Sequence, residues 1–428
     1  MVESQSPLYD AFKGILSTID KERIQELLSY MRTEAINFNL FKNGEFIERK
    51  FPFDIVPRIV SASEFAYLDK GIKQRIYALN LFLEDIYSEQ KIIKDGIIPP
   101  DFVFSSKAYL PEFRNTPVAK NIRVHISGID LVKNTVGDGW VVLEDNLRVP
   151  SGVSYPLSLR KLTRKVFPEF FEKLSIEKVL DYPQILSRTM NHVNTGGLNV
   201  ILTPGRYNSA FYEHSYLAKE SGAILATGED LFVEKDKLYL KTFAGKKARV
   251  GAVYRRLDDD ALDPKAFNPQ SLIGVSHIAQ AYRAGNVALM NSIGNGIADD
   301  KGIYYFVPEM IRYYMGEEPI LQNAPTYLAF FEKDRNHILQ NMRTLVIKDV
   351  AEAGGYGVVF GSKLSISFRK FFPSFVIEKC FIAIEVKKLF VCFTFKFSII
   401  NSASSLSIIC NFLAIIISSH ICIFHRTF

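Results

Sequence analysis

The stretch from Ile122 to Val149 constrains the fold more than any other part of the chain. Two runs rich in Val, Ile and Leu, IRVHISGIDLVKN and WVVLEDNLRV, flank the turn TVGDG. Apolar runs of strand length broken by glycine and aspartate read as a β-hairpin. With the turn centred on Gly137, Asp130 faces Glu144 and Gly128 faces Asn146. Side chains two apart on a strand share a face, so Asp130, Glu144 and Asn146 would gather oxygen donors on one surface, beside a glycine that leaves room. Two carboxylates across a strand pair repel unless a cation lies between them. Magnesium takes oxygens of this kind and leaves positions for water and phosphate. A register one residue out would instead set Asp130 against Leu143 or Asp145 and leave the carboxylates solvated at a sheet edge.

A second constellation is TLVIKDVAEAGGYGVVFG. An apolar strand carries one lysine, Lys348, and runs into a loop with Gly354, Gly355 and Gly357. Glycines let backbone N–H groups turn toward phosphate oxygens, and a lysine inside an apolar strand calls for an anion nearby. The alternative is a plain glycine hairpin with Lys348 on its wet face. No GxxxxGK[ST] run occurs, so this is not a Walker loop. Upstream, NSIGNGIADDKGIYYFVPEMIRYYMG places a glycine-bearing loop before Lys301 and an aromatic helix that ends at Gly316.

Charge excludes one class of function. The chain is formally +6, but residues 1 to 361 are neutral and the excess lies beyond Gly361. A neutral body lacks the basic face that displaces counterions from phosphates, so no nucleic-acid partner is expected. Residues 362 to 428 differ in kind: they hold no Gly and no Asp, 12 of the 34 Phe and all four cysteines. With only Pro373, Asn401 and Asn411 to make turns, this tail is expected to be irregular and to touch the body little. It reads as a membrane anchor within residues 397–428, as an added β module, or, the favoured reading, as the product of a shifted reading frame. The cysteine-free body suits a reducing compartment, and no signal peptide opens the sequence, so a cytoplasmic protein is expected.

Helical periodicity covers residues 7–33 and 63–92, where Phe65, Leu68, Ile72, Ile76, Leu79, Leu83 and Ile86 recur at steps of three and four. The run Leu198–Leu202, the turn TPGRYN, a helix through AFYEHSYLAKESG and the strand AILAT form a βαβ unit. The expected organisation is a helical N-terminal region over 1–95, metal-binding strands over 96–160, an α/β subdomain over 161–255, a partial ATP-binding lobe over 256–361 and a separate tail over 362–428. The fold class is mixed α+β and α/β.

In this order VHISGIDLVKN, WVVLEDNLRVPSGVSY, VYRRLDDDALDP, NVALMNSIGNGIADDKGIYYFVPEMIRYYMGEEPIL and LVIKDVAEAGGYG resemble the circularly permuted ATP-grasp proteins of type 2, relatives of glutathionylspermidine synthetase. The resemblance runs from about residue 30 to Gly361. It implies an ATP-grasp-like fold and an ATP-dependent carboxylate–amine ligase that works through an acyl phosphate, with small-molecule or peptide carboxylates and amines as substrates. It implies Mg2+ held by Asp130, Glu144 and Asn146, and ATP contacts from Lys301, Lys348, Gly354, Gly355 and Gly357. Arg148, Ser151 and Ser154, just after the metal strand, are placed to meet the acyl substrate. Arg255 and Arg256 could neutralise the acyl phosphate, or form a structural ion-pair network. Two departures stand out. The family's synthetases carry an arginine where this chain has Gly128, and their late ATP-lobe segments have no counterpart after Gly361. The chain is therefore expected to be inactive through an incomplete lobe, the alternative being a non-catalytic binding or scaffold protein, anchored or not through residues 397–428.

Overall fold

The computed structural model describes residues 7–33, 37–42, 45–50, 59–134, 139–349, 359–364, 381–385, 395–402 and 405–410. They fall into two compact units, Met1–Tyr67 with Ser151–Ala288 and Phe393–Phe428, and Leu68–Pro150 with Leu289–Cys392.

The first unit opens with the helices Pro7–Ser17 and Lys21–Thr33. Phe12 and Ile15 of the first helix are buried against Val166, Phe167 and Phe170, with the Phe12 and Phe170 rings stacked at 4.3 Å. A hairpin follows, Asn37–Lys42 against Glu45–Lys50. The expected βαβ unit is present. Leu198–Leu202 leads into the helix Phe211–Ser221, closed by left-handed Gly222, and the chain returns as Ile224–Ala226 parallel to the first strand. Lys247–Arg255 runs parallel to Leu198–Leu202 on its other side, and Lys237–Lys241 and Leu231–Glu234 extend the sheet antiparallel. Val200, Ile201 and Leu202 are fully buried, which suits a central strand covered on both faces.

The second unit is built on the helix Ala62–Ile86, most of which belongs to it. Leu68, Ile72, Ile76, Leu79, Leu83 and Ile86 are buried along one side, as their spacing requires. Gly71 lets the chain pack close, since a Cβ there would lie 2.5 Å from Leu321 Cγ. The strands Ile126–Asn134 and Gly139–Asn146 pair antiparallel, and Gln322–Asn323 adds in parallel to the second. Another sheet has the order Thr326–Leu328, Phe381–Glu385, Leu345–Asp349, Val359–Phe360.

This last sheet corrects one part of the expectation for the tail, that it would touch the body little. Phe381–Glu385 lies between two strands of the body, and the Lys348 strand has an antiparallel neighbour on each side. Scarcity of turn residues limits what a segment can fold into alone. It does not prevent five extended residues from adding to an existing strand edge, which asks only for backbone N–H and C=O groups. Farther on, Phe395–Ser402 and Ser405–Cys410 form an antiparallel hairpin, so the described part of the anchor reading is strand. Residues 411–428, the rest of the anchor reading, lie outside the described residues. Among those described, no helix is long and apolar enough to cross a membrane.

Candidate active site

The two strands Ile126–Asn134 and Gly139–Asn146 pair Gly128 with Asn146, Ile129 with Asp145 and Asp130 with Glu144. That is the register expected at this end. Between Asp130 and Leu131 a bulge shifts it, so Leu131 opposes Val142. A bulge re-aims side chains and raises local twist, and here it falls beside a carboxylate of the candidate metal face. The turn residues 135–138 lie outside the described part.

The two-residue period gives the consecutive acids of the second strand different work. Asp145 is buried and takes both arms of Arg75, with Nε to Oδ1 at 2.7 Å and Nη2 to Oδ2 at 2.6 Å. Arg75 Nη1 also donates to Asn323 Oδ1 at 2.8 Å, and the guanidinium lies over the Tyr304 ring. Tyr304 in turn donates its OH to the Val142 carbonyl at 2.6 Å. Removing one partner of so buried a pair costs about 3–5 kcal/mol, so this network holds the strand in place. Glu144 and Asn146, of opposite parity, are left to the other face. Asn146 Nδ2 donates to the Gly128 carbonyl at 3.1 Å, which leaves its Oδ1 for other company. Gly128 leaves room here, since a Cβ would come to 3.1 Å from Pro150 Cβ and the proline would have to give by a few tenths of an ångström.

Glu144, Asp299, Lys301, Tyr304 and Lys348 line one cleft with Leu143 and Asp145. Burial pulls the Lys348 ammonium below the ordinary lysine range; the carboxylates of Glu144 and Asp130 oppose this, while Lys301 adds to it. Two lysines and two carboxylates therefore share one field. Among the described residues neither Glu144 nor Lys348 closes an ion pair. Lys301 opens the helix Lys301–Tyr305, whose N-cap Asp300 accepts from Gly302 N at 2.8 Å and from Ser106 Oγ at 3.0 Å.

Sequence reasoning missed Asp299. Its carboxylate accepts the backbone N–H of Leu147 at 2.5 Å and of Arg148 at 3.1 Å, and Arg148 Nε stands 3.7 Å from Oδ2. Burial pushes its pKa up to about 7, the Glu144 charge adding to that and Arg148 with the two N–H groups opposing it. In the sequence, Asp299 and Asp300 look like one helix-start signal. The trace of a separate role was the four-residue spacing of Asn291, Asn295 and Asp299.

Gly354, Gly355 and Gly357 are outside the described residues. Ser151, Ser154, Arg255 and Arg256 belong to the first unit. There Ser154 donates its N–H and Oγ to Glu213 at 3.0 and 3.1 Å, while Ser151 is exposed. Arg255 closes on Asp259 at 2.7 Å, and Arg256 reaches Tyr254 Oη at 2.7 Å and Glu213 at 3.4 Å. Each arginine thus has internal partners of the structural kind.

A family model described as a circularly permuted ATP-grasp matches residues 57–372. The chain belongs to the circularly permuted ATP-grasp proteins. The match ends past Gly361, so the family pattern enters the segment read as a separate tail. Among relatives of this ATP-grasp chain, an uncharacterized Synechocystis protein is 47% identical over 335 residues, 77% of this chain and 69% of its own. A Frankia alni protein whose name marks it as a candidate glutamate–cysteine ligase is 36% identical over 373 residues, 84% of this chain and 43% of its own length. The structure of a glutathione synthetase-like effector from Globodera pallida, in apo form, superposes with a TM-score of 0.54 at 10% identity, covering 92% of this chain and 87% of that one. That likeness is one of fold.

Proposed function

We propose that this protein is an ATP-dependent carboxylate–amine ligase that activates its carboxylate as an acyl phosphate, with Asp130, Glu144 and Asn146 as Mg2+ ligands and Lys301 and Lys348 as phosphate-facing cations. The observation that carries the reading is the single cleft in which Glu144, Lys301 and Lys348 meet with Asp130 in the same field. The donor set fits magnesium. Among the described residues no group of three His, Cys, Asp or Glu could hold a metal alone, and two carboxylates with an amide oxygen suit an ion that takes its other ligands from phosphate and water. The donor set fits ATP too, since a lysine pressed toward neutrality by burial regains its charge beside an anion.

Bound Mg2+ would neutralise the phosphate oxygens from which charge must be withdrawn as the γ-phosphoryl leaves. The residues do the rest by position. Lys348, fixed on a strand paired on both sides, offers a cation that does not reorganise during transfer. Lys301 offers a second from a helix start pinned by Asp300. Gly354, Gly355 and Gly357 are assigned to the loop over the phosphates. Arg148, Ser151 and Ser154 are assigned to the acyl substrate and Arg255 and Arg256 to the acyl phosphate, as the family resemblance implies; of these, Arg148 has surroundings that lie within the second unit. The Frankia alni relative suggests glutamate and cysteine as the first substrate pair to try, and the resemblance to glutathionylspermidine synthetase suggests a polyamine as the next amine. The cysteine-free body suits work in the cytoplasm.

Trapping tests the reading. Incubating the chain with Mg2+, ATP, hydroxylamine and L-glutamate, then a panel of other carboxylates, should yield a hydroxamate together with ADP, and Glu144→Gln should yield neither. Hydroxamate formation that survives Glu144→Gln would sink the metal face.

A further inference from the structure

Beyond Asn146 the strand pairing stops, and the next residue, Leu147, is fully buried. Its backbone groups have lost the ladder at a fully buried position, and an unpaired buried group costs about 1–3 kcal/mol. The structure meets both groups from one short segment. The Leu147 N–H goes to Asp299 Oδ1 at 2.5 Å, and its carbonyl accepts from Asn291 Nδ2 at 2.8 Å and from Asn295 Nδ2 at 3.3 Å. Asn291 also reaches the start of the other metal strand, accepting from His125 N and Ile126 N at 2.7 and 2.9 Å and donating to the Ile126 carbonyl at 2.6 Å. The open end of the strand pair is therefore tied by three side chains at four-residue spacing, and the tied residue sits between Asn146 and Arg148. Asp299 alone of the three also lines the cleft and faces the Arg148 guanidinium.

We propose that Asp299 is the positioning residue of the metal face: with Asn291 and Asn295 it grips Leu147 by both backbone groups, and so fixes where Asn146 and Arg148 present their side chains. The proposal rests on the metal reading given above and adds to it a residue that acts through the backbone of Leu147. Outer-shell partners of this kind are worth roughly 10- to 100-fold in metal affinity.

The test uses the full chain, Mn2+ as a spectroscopic substitute for Mg2+, and a non-hydrolysable ATP analogue. Electron paramagnetic resonance gives Mn2+ affinity with the analogue present, and titration in EDTA gives affinity for the analogue without metal. Asp299→Asn removes the charge but keeps an acceptor of the same size; Asp299→Glu keeps the charge but moves it outward by one methylene. Both should weaken Mn2+ binding tenfold or more and leave metal-free analogue binding within about twofold, a split that general loosening would not produce. Mn2+ affinity at the wild-type level in Asp299→Glu would reduce the role to charge and overturn the proposal, as would wild-type affinity in Asp299→Asn. Should both variants fail to fold, Asn295→Ser, which withdraws one donor from the Leu147 carbonyl, must show the same split at threefold or more, or the proposal falls. Glu144→Gln is run in parallel. Loss of Mn2+ there with no change at Asp299 rejects positioning alone, while a wild-type chain that binds no Mn2+ with the analogue rejects the ligase reading and this proposal together.

Discussion

Each unit contains a cluster of charge, buried in the first and, apart from Asp130, half-buried in the second, and the two clusters are built in opposite ways. In the first unit Glu213 is fully buried and receives Gly152 N at 2.7 Å, Ser154 N and Ser154 Oγ, with Arg256 at 3.4 Å; Arg255 and Asp259 close a second pair. In the second unit Glu144 and Lys348 share a field with Asp130 and Lys301, and among the described residues neither closes an ion pair. A closed cluster uses up its charge in holding the chain together. An open one keeps like charges near each other at a cost in stability and becomes favourable when a ligand brings the missing complement. Function should therefore be sensitive to change in the second unit, and stability in the first.

The largest expected effect is at Glu144. On the proposed reading of Glu144 as a metal ligand, Glu144→Ala should lower ATP turnover by about a thousandfold or more. The melting temperature should hold or rise, because the repulsion between Asp130 and Glu144 is relieved. Steady-state ADP release and differential scanning calorimetry on the same preparation check both halves. A cooperative loss of stability would show that Glu144 is structural and erase the contrast between the clusters.

Glu213→Ala is the mirror experiment. It leaves Arg256 without its carboxylate and strips the acceptor from Gly152 N and Ser154, so urea denaturation should show a loss of about 3–5 kcal/mol. Glu213→Gln, which keeps the size and one acceptor oxygen, should lose less. A Glu213→Ala chain as stable as the parent would mean that the first cluster is as open as the second.

The strand carrying Lys348 has neighbours on both sides, one of them Phe381–Glu385, so it is not left as an open edge. Lys348→Met should thus weaken nucleotide binding about tenfold, while stability stays level or rises by about 1 kcal/mol as the desolvation of the ammonium is removed. Isothermal titration with an ATP analogue and a urea series measure the two. Unaltered nucleotide affinity would return Lys348 to the wet face of a plain hairpin.

How far this was legible in the sequence depends on the kind of bond involved. The alternation that sets Glu144 apart from Asp145 is written in the residues, and so is the helix whose buried stripe runs from Leu68 to Ile86. The bulge at Asp130 was not, since a bulge is decided by how two strands meet rather than by either one. Asp299 escaped because a carboxylate aimed at the backbone N–H groups of Leu147 and Arg148 leaves no mark on those partners' side chains. The strand Phe381–Glu385 escaped for a related reason: edge pairing is made by main chain, and a reading based on turn residues cannot register it. For Arg255 and Arg256 the sequence offered a pair beside LDDD, and the structure supplies the partners, Asp259 and Glu213.

An effect of similar size to that at Lys348 comes from pH and isolates the closed cluster. His214, in the first unit, is buried with Nδ1 2.8 Å from Thr203 Oγ1. Burial, with the nearby Arg256 cation acting in the same direction, pushes its pKa down from 6.5 to about 2. The folded chain therefore holds this imidazole neutral where the unfolded chain would protonate it. Stability from this residue is full above the unfolded value near 6.5 and declines as the pH falls below it, because the unfolded state then binds the extra proton. The slope is about 1.4 kcal/mol per pH unit well below 6.5, so roughly 2 kcal/mol separates pH 7 from pH 5. His214→Gln removes the titrating group and keeps a hydrogen-bonding partner for Thr203. Subtracting its urea-denaturation free energies from those of the parent at pH 7, 6 and 5 should yield a difference that grows by about that amount toward acid. A flat difference would mean that His214 titrates alike folded and unfolded, and the picture of a first unit whose charges are fixed by burial would have to be given up.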